Sequence, residues 1–246
     1  MKIAVISAAR TRSTVLATYR SQRHPELPKY RKHWYGEYYS LRHETKLTFE
    51  EATNQLFTHE DFFIKILGQN LSIEQGPPRY VGLENIRPER LRLKEYDHIY
   101  LIERYDFFHQ MCSYVVAHST RIWNEEKRVA HRYKEINSKK FDITLNRAGY
   151  IAADIVGYLE IKKHLENNQI PYVLYDSEKS ITNEMSESSR VAASNLDYEN
   201  IIVDYNILKP KFNEIFYKHF NYQTCYHDYP AFMQEAEQVL SEAKSK

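Results

Sequence analysis

At 246 residues the chain is long enough for one domain with a real core, and its 42% hydrophobic content is ordinary for a soluble protein. No apolar run approaches the roughly 20 residues that a membrane helix needs, so no integral membrane segment is expected. A formal net charge of +1 makes no general case for nucleic acid or an anionic membrane surface.

Two cysteines, Cys112 and Cys225, are too few for a disulfide framework, which suits a reducing cytoplasm. Tyrosine is frequent, at 21 residues, and suggests a polar-aromatic surface, since each ring offers an apolar face and a hydroxyl.

Lys2 followed by the apolar run Ile3 to Ala9 has the outline of a signal peptide, but the run is short and meets Arg10 and Arg12 at once. It reads instead as a buried strand. Val15, Leu16 and Tyr19 then begin a helical spacing, predicting a helix over Ser13 to Arg23. A strand feeding a helix through a small, polar, cationic turn is suited to an anion. The first helical amides lack partners and the helix dipole favours negative charge there. Arg10 and Arg12 add charge, and Thr11, Ser13 and Thr14 add donors. The bland reading is that any α/β protein can open this way. There is no G-x-x-x-x-G-K-[ST] and no glycine before Gly36, which disfavours a Mg-nucleotide loop of the usual kind.

His24-Pro25 and Leu27-Pro28 break the first helix. Lys29 to Glu44 is dense in aromatics and bases and has no clean period, so it reads as a surface loop or short helix. Thr48 to Phe57 reads as a helix, with Thr48 and Glu51 at capping-box spacing. Phe62 to Leu67 is a second buried strand with Lys65 inside it, and Pro88 to Leu93 a short helix with proline in its first turn. His98 to Ile102 is the third strand, ending at Glu103-Arg104. Asp106 then caps a helix to about His118 with Phe107, Met111, Tyr114 and Val115 on one face. Arg121 to Asn137 reads as a charged, solvated helix, and Asn146 to Asn167 as a long amphipathic one. Tyr172 to Tyr175 is a fourth strand, and Ile201 to Val203 a fifth, short one. Ser180 to Ser194 is either a mobile lid or a polar helix, and a terminal helix starts near Pro230.

Strands alternating with helices, with no linker or repeat, predict a single α/β domain: a central parallel sheet flanked by helices, with mobile segments around 24–47 and 180–195. Ligands of such sheets bind beyond the carboxyl ends of the strands. That singles out Ser7 to Thr14, Lys65 or its neighbours, Arg104 and Asp176. Arg104 ends the third strand, and Ser113 lies nine residues on, in the following helix. The two converge on one anion if the loop folds back, and a guanidinium suits phosphate because its planar fork makes two parallel bonds. Alternatively Arg104 pairs with Asp106 and Ser113 faces a neighbouring helix. Two strand-end cationic elements in one sheet suggest a ligand with two separated phosphate-like groups.

These segments together resemble the sulfotransferases that use 3′-phosphoadenosine 5′-phosphosulfate (PAPS). The chain looks closest to the bacterial carbohydrate branch typified by trehalose-lipid sulfotransferase. Ala9-Arg10-Thr11-Arg12-Ser13-Thr14-Val15-Leu16 is similar to the 5′-phosphosulfate loop, P-R-[ST]-G-[ST]-T-L-L. Gly36-Glu37-Tyr38-Tyr39 resembles the branch's P-x-E-Y/F segment, whose glutamate is the proposed base, and Phe63-Ile64-Lys65-Ile66 loosely matches its F-[GA]-x-K strand. Arg104-Tyr105-Asp106, Gln110 and Ser113 match R-R-D-x-x-x-Q-x-x-S, in which the Arg and Ser hold the 3′-phosphate. Trp123 falls where the branch often has tryptophan, and Tyr175-Asp176 is a weak echo of its Y-E-D strand end. The likeness spans roughly residues 1 to 180 and departs at Ala9, where the family has proline, and at Arg12, where it has glycine. Arg12 either crowds the close backbone approach that glycine allows or supplies an extra cation.

The resemblance implies a P-loop-like fold and a sulfuryl transfer from PAPS to a hydroxyl of a carbohydrate or small molecule, with no metal. Arg10, Thr11, Arg12, Ser13 and Thr14 would hold the phosphosulfate, and Arg104 and Ser113 the 3′-phosphate. Lys65 would assist as a catalytic residue, or is an ordinary edge or rim lysine. Glu37 is the expected general base, among aromatics suited to excluding water, with His33 and His43 as runners-up, or else it is a solvated loop acid. Trp34, Tyr35, Tyr38 and Tyr39 would form platforms for a sugar, or pack as a loop on the body. Two other classes stay open: an ATP-using P-loop-like kinase, and a non-catalytic module that binds a partner through its tyrosine-rich face.

Overall fold

Ile3, Ala4, Val5 and Ile6 have no exposure at all, although successive side chains of a strand point to opposite faces. The strand they form, β1 (Lys2–Ser7), is therefore covered on both sides, as a central parallel strand must be. The computed structural model of the chain describes residues 1–11, 13–24, 36–37, 49–68, 87–120, 133–180 and 196–245. The strands that follow β1 are the two-residue β2 (Gly36–Glu37), β3 (Phe62–Leu67), β4 (His98–Glu103) and β5 (Val173–Asp176). They join one sheet in the order β2-β3-β1-β4-β5, with every pairing parallel.

Helices cover both faces. On one, Ile3, Val5, Phe63 and Ile102 pack against Val15, Leu16 and Ala17 of α1 (Ser13–Gln22). On the other, Ala4, Ile6, Ile64 and Leu101 join the large core. That core includes residues of α2 (Phe49–Leu56), α3 (Phe107–Thr120), the short α4 (Tyr133–Asn137) and α5 (Leu145–Asn167). The expected faces are buried: Phe107, Met111, Tyr114 and Val115 on α3, and Ile151, Ile155, Leu159 and Leu165 on α5. Asp106 caps α3 as expected, its Oδ1 accepting the His109 N–H at 2.9 Å.

The C-terminal third adds α6 (Tyr198–Ile201), α7 (Tyr205–His219), a small hairpin of β6 (Phe220–Asn221) and β7 (Tyr226–His227), and α8 (Tyr229–Lys244). Its anchor is a stack of rings: Phe107 of α3 lies flat on Phe216 of α7 at 4.2 Å between centroids, Phe216 stacks on Phe220, and Phe232 of α8 meets Phe107 edge-on at 5.4 Å. Each such pair adds about 0.5–1.5 kcal/mol beyond the area it buries. No helix among the described residues is long and apolar enough to cross a membrane.

Three expectations are corrected. Ile201 to Val203 is not a strand of the sheet. Asp197 accepts the Asn200 N–H and starts α6, which takes in Ile201, leaving Ile202 a single bridge to Phe141. The helix expected over Pro88 to Leu93 is two 3₁₀ turns, Pro88–Leu91 and Leu93–Glu95, divided by Arg92 in the left-handed region (φ 54°). Arg92 is fastened there by a two-pronged pair with Glu95. The fourth strand begins one residue later than expected, at Val173. The segments 25–35, 38–48, 121–132 and 181–195 lie outside the described residues, and with them the expected surface loop, most of the charged helix and the lid.

Candidate functional site

The chain leaves β1 through α1 toward β3, on one side, and later returns to lay β4 on the other side of β1. The loops after β1 and β4 therefore diverge, and at such a reversal a parallel sheet opens a crevice beyond its strand ends. Both arginine-bearing segments read from the sequence lie at this point. Ser7 ends β1 and Arg104 directly follows β4.

The loop after β1 is fastened by three other elements. The Ala9 N–H donates to the carboxylate of Asp154 on α5, while the Ala9 carbonyl accepts from Gln110 Nε2 of α3 at 2.6 Å. Arg10 takes the left-handed backbone conformation (φ 63°), which costs a non-glycine residue energy and persists only where its surroundings hold it. Arg104 Nη1 donates to the Arg10 carbonyl at 2.8 Å, and Arg10 Nε donates to Ser113 Oγ at 2.9 Å. Thr11 spends its hydroxyl within the loop, on the Ala8 carbonyl at 2.8 Å. Thr11, Ser13, Arg104, Gln110 and Ser113 are all buried.

Arg10, Arg104 and Ser113 thus form one cluster at the ends of two neighbouring strands. The sequence suggests two separated cationic elements; the fold joins them. Asp106, offered as a partner of Arg104, serves the N-terminus of α3 instead. The amides of that terminus are already engaged, Phe108 N–H with Asn213 Oδ1 of α7 at 3.0 Å as well as His109 with Asp106. The first turn of α3 therefore has its amides engaged within the protein. Asp176 ends β5 and shapes the turn beyond it, accepting the Glu178 and Lys179 N–H groups on Oδ1. Glu178 from that turn reaches Arg104, with Oε1 3.4 Å from Nε.

Of the proposed catalytic residues, Lys65 is buried two residues inside β3, with β1 and β2 on either side; it is neither at the strand end nor on an edge or rim. Its register partner on β2 is Glu37, so two residues 28 positions apart in the chain stand side by side on adjacent strands. Nothing further is described of the Glu37 and Thr14 side chains. Arg12, His33, Trp34, Tyr35, Tyr38, Tyr39, His43 and Trp123 lie outside the described residues.

Asp154 was not singled out in the sequence, although a signal exists: it interrupts the apolar run Ile151-Ala152-Ala153 before Ile155 and Val156. It reaches the loop because α5 comes unusually close to the sheet. A Cβ on Gly68, after β3, would lie 1.9 Å from the Asp154 carbonyl oxygen, and one on Gly157 would lie 2.3 Å from the Gly68 oxygen. Only two facing glycines permit that approach. Beside Asp154, burial and then the nearby carboxylate push the Tyr114 phenol up to about 12.

Behind Arg104 lies a second polar group. Glu103, 1% exposed, accepts from Lys162 Nζ (2.8 Å) and the hydroxyls of Tyr158 (3.1 Å) and Tyr105 (2.7 Å). Lys162 also donates to the Tyr222 carbonyl at 2.7 Å, tying the hairpin region to the end of β4. Burial first, and then Glu103, raise the Tyr105 and Tyr158 phenols well above their ordinary value. No three His, Cys, Asp or Glu side chains among the described residues stand together as a metal site requires. No family model, curated protein or solved structure matches the chain.

Proposed function

We propose that the protein is a PAPS-dependent sulfotransferase acting on a hydroxyl of a carbohydrate or small molecule. The observation that carries the reading is the convergence of Arg10, Arg104 and Ser113 beyond the carboxyl ends of β1 and β4. These are the residues whose motifs resemble the two phosphate-binding segments of that family. Two guanidiniums and a hydroxyl at a strand-order reversal suit a dianionic phosphate ester. The sheet is read accordingly as P-loop-like, with arginines where a nucleoside triphosphatase would carry its loop lysine.

In this reading PAPS is the donor and supplies an activated sulfuryl group. Arg104 and Ser113 would hold its 3′-phosphate, beside the Arg10 that serves the 5′-phosphate. Arg10, Arg12, Ser13 and Thr14 would stabilise charge on the 5′-phosphate oxygen as it leaves, whereas the Thr11 hydroxyl, expected there from the sequence, holds the loop through the Ala8 carbonyl instead. The acceptor oxygen bonds to sulfur as the bond from sulfur to that oxygen breaks, and the acceptor's proton passes to Glu37. Lys65, the register partner of Glu37, would add positive charge beside the base. The reading needs no metal, because arginines do the neutralising.

Calorimetric titration with 3′,5′-adenosine bisphosphate, set against ATP with Mg²⁺, tests it. Binding of the bisphosphate that Arg104→Ala abolishes is the expected result, with Glu37→Gln losing turnover but keeping that binding. Preference for Mg-ATP would turn the reading to a kinase. Failure of folded protein to bind either nucleotide would leave a non-catalytic module.

A further inference from the structure

The carboxylate beside Arg104 needs its own account. Glu178 sits in the turn after β5, and that turn is complete without its side chain. Asp176 Oδ1 holds the Glu178 and Lys179 N–H groups at 2.8 and 3.1 Å, and the Ser180 N–H reaches the Asp176 carbonyl at 2.8 Å. The Ser177 N–H is bonded to the Glu103 carbonyl at 2.8 Å, which fixes the turn against β4. The backbone therefore aims Glu178 at Arg104 without relying on the pair for its own shape. The contact is long, at 3.4 Å, and the two partners differ in exposure: the Arg104 side chain is 7% exposed and that of Glu178 is 37%. The arginine is built in; the carboxylate stands partly open to water.

Resting on the anion-site reading above, we infer that Glu178 is an internal competitor for Arg104 and determines which anions the site accepts. A carboxylate on the guanidinium Nε takes one edge of the fork that a phosphate would use. A ligand group must displace it or bind against its charge. A phosphate monoester with two charges outcompetes a carboxylate, and a singly charged group does not. Glu178 thus screens Arg104 from ordinary carboxylates and singly charged sulfate esters and lowers the affinity for the intended ligand. The product carrying the 3′-phosphate leaves more readily as Glu178 returns.

The experiment compares 3′,5′-adenosine bisphosphate binding by the wild type, Glu178→Gln and Glu60→Gln. Glu60 is an exposed carboxylate just before β3, at the opposite end of the sheet, and controls for net charge. The expected result is binding about fivefold tighter in Glu178→Gln, the scale of a partly exposed ion pair, with Glu60→Gln unchanged. Acetate, the singly charged carboxylate probe, should weaken nucleotide binding measurably only in Glu178→Gln. Equal or weaker nucleotide binding by Glu178→Gln, where the wild type binds, overturns the inference and leaves the anion site standing. An equal gain in Glu60→Gln also overturns it, as a general charge effect. If neither wild type nor Glu178→Gln binds, the anion site itself fails and the inference with it.

Discussion

Replacing Lys162 with methionine tests whether the polar group behind the site holds the domain together. Glu103 and the Lys162 side chain are 1% and 5% exposed, so the pair lies out of water. In Lys162→Met the carboxylate keeps the Tyr158 and Tyr105 hydroxyls at 3.1 and 2.7 Å but loses its countercharge. Removing one partner of a buried ion pair costs about 3–5 kcal/mol, because the other charge is left uncompensated. The Tyr222 carbonyl also loses its donor at 2.7 Å, a loss of about 1–3 kcal/mol if nothing replaces it. The two losses overlap, so a total near 4 kcal/mol is expected, a fall in Tm of roughly 8–16 °C for a chain of this size. The double variant Glu103→Gln, Lys162→Met removes the uncompensated charge, keeps a carbonyl acceptor for one tyrosine and turns its amide N–H toward the other hydroxyl oxygen, and should recover more than half of that loss. Urea unfolding followed by circular dichroism, with equal slopes for all variants, gives both numbers. A loss below about 1 kcal/mol in Lys162→Met, or no recovery in the double variant, would refute the reasoning.

Gly157→Ala should cost about 1–3 kcal/mol or more, since its Cβ would meet the Gly68 backbone oxygen at 2.3 Å. Gly149→Ala should cost less, because the nearest atoms are the end of the flexible Met233 side chain at 2.8 Å; thermal unfolding that reverses this order would count against the close approach of α5 to the sheet. Alkaline pH should destabilise the fold. Burial holds the Tyr158 and Tyr222 phenols well above their ordinary value and pushes the Cys225 thiol up to about 12. In the unfolded chain thiols ionise near 8.5 and phenols near 10. Above those values the unfolded state binds fewer protons, so stability is complete below about pH 8 and falls as pH rises. A urea midpoint that stays flat from pH 8 to pH 11 would contradict this. For the same reason Cys112 and Cys225, both buried, should resist iodoacetamide at pH 8 until the protein is denatured, as read by mass spectrometry.

Much of the architecture was legible locally. The apolar runs of β1, β3 and β4, broken in β3 by Lys65 alone, declare buried strands because burial on both faces demands near-continuous apolar sequence. Asp106 announces the start of α3, and the apolar stripe of α5 its buried face. The signals failed where local chemistry conflicted with the final state. Pro210 sits inside α7 without ending it, because ring packing around Phe216 and Phe212 secures that helix from outside. Ile201 looked like a strand residue until the Asp197 cap drew it into a turn.

The same division runs through the site. Arg10 at the end of a strand, and Arg104 with Ser113 two turns into the next helix, are short-range patterns that a sequence can carry. Their union is a matter of strand order, since only the placing of β4 beside β1 brings Ser113 onto Arg10 across 103 residues. Asp154 meets Ala9 across 145 residues and Glu178 meets Arg104 across 74. Neither separation has a periodicity to reveal it. Side-chain period and capping are set by neighbours along the chain. The choice of which strand lies beside which, and the glycine-lined approach of α5 that brings a carboxylate beneath the loop, are decided only when the whole core closes.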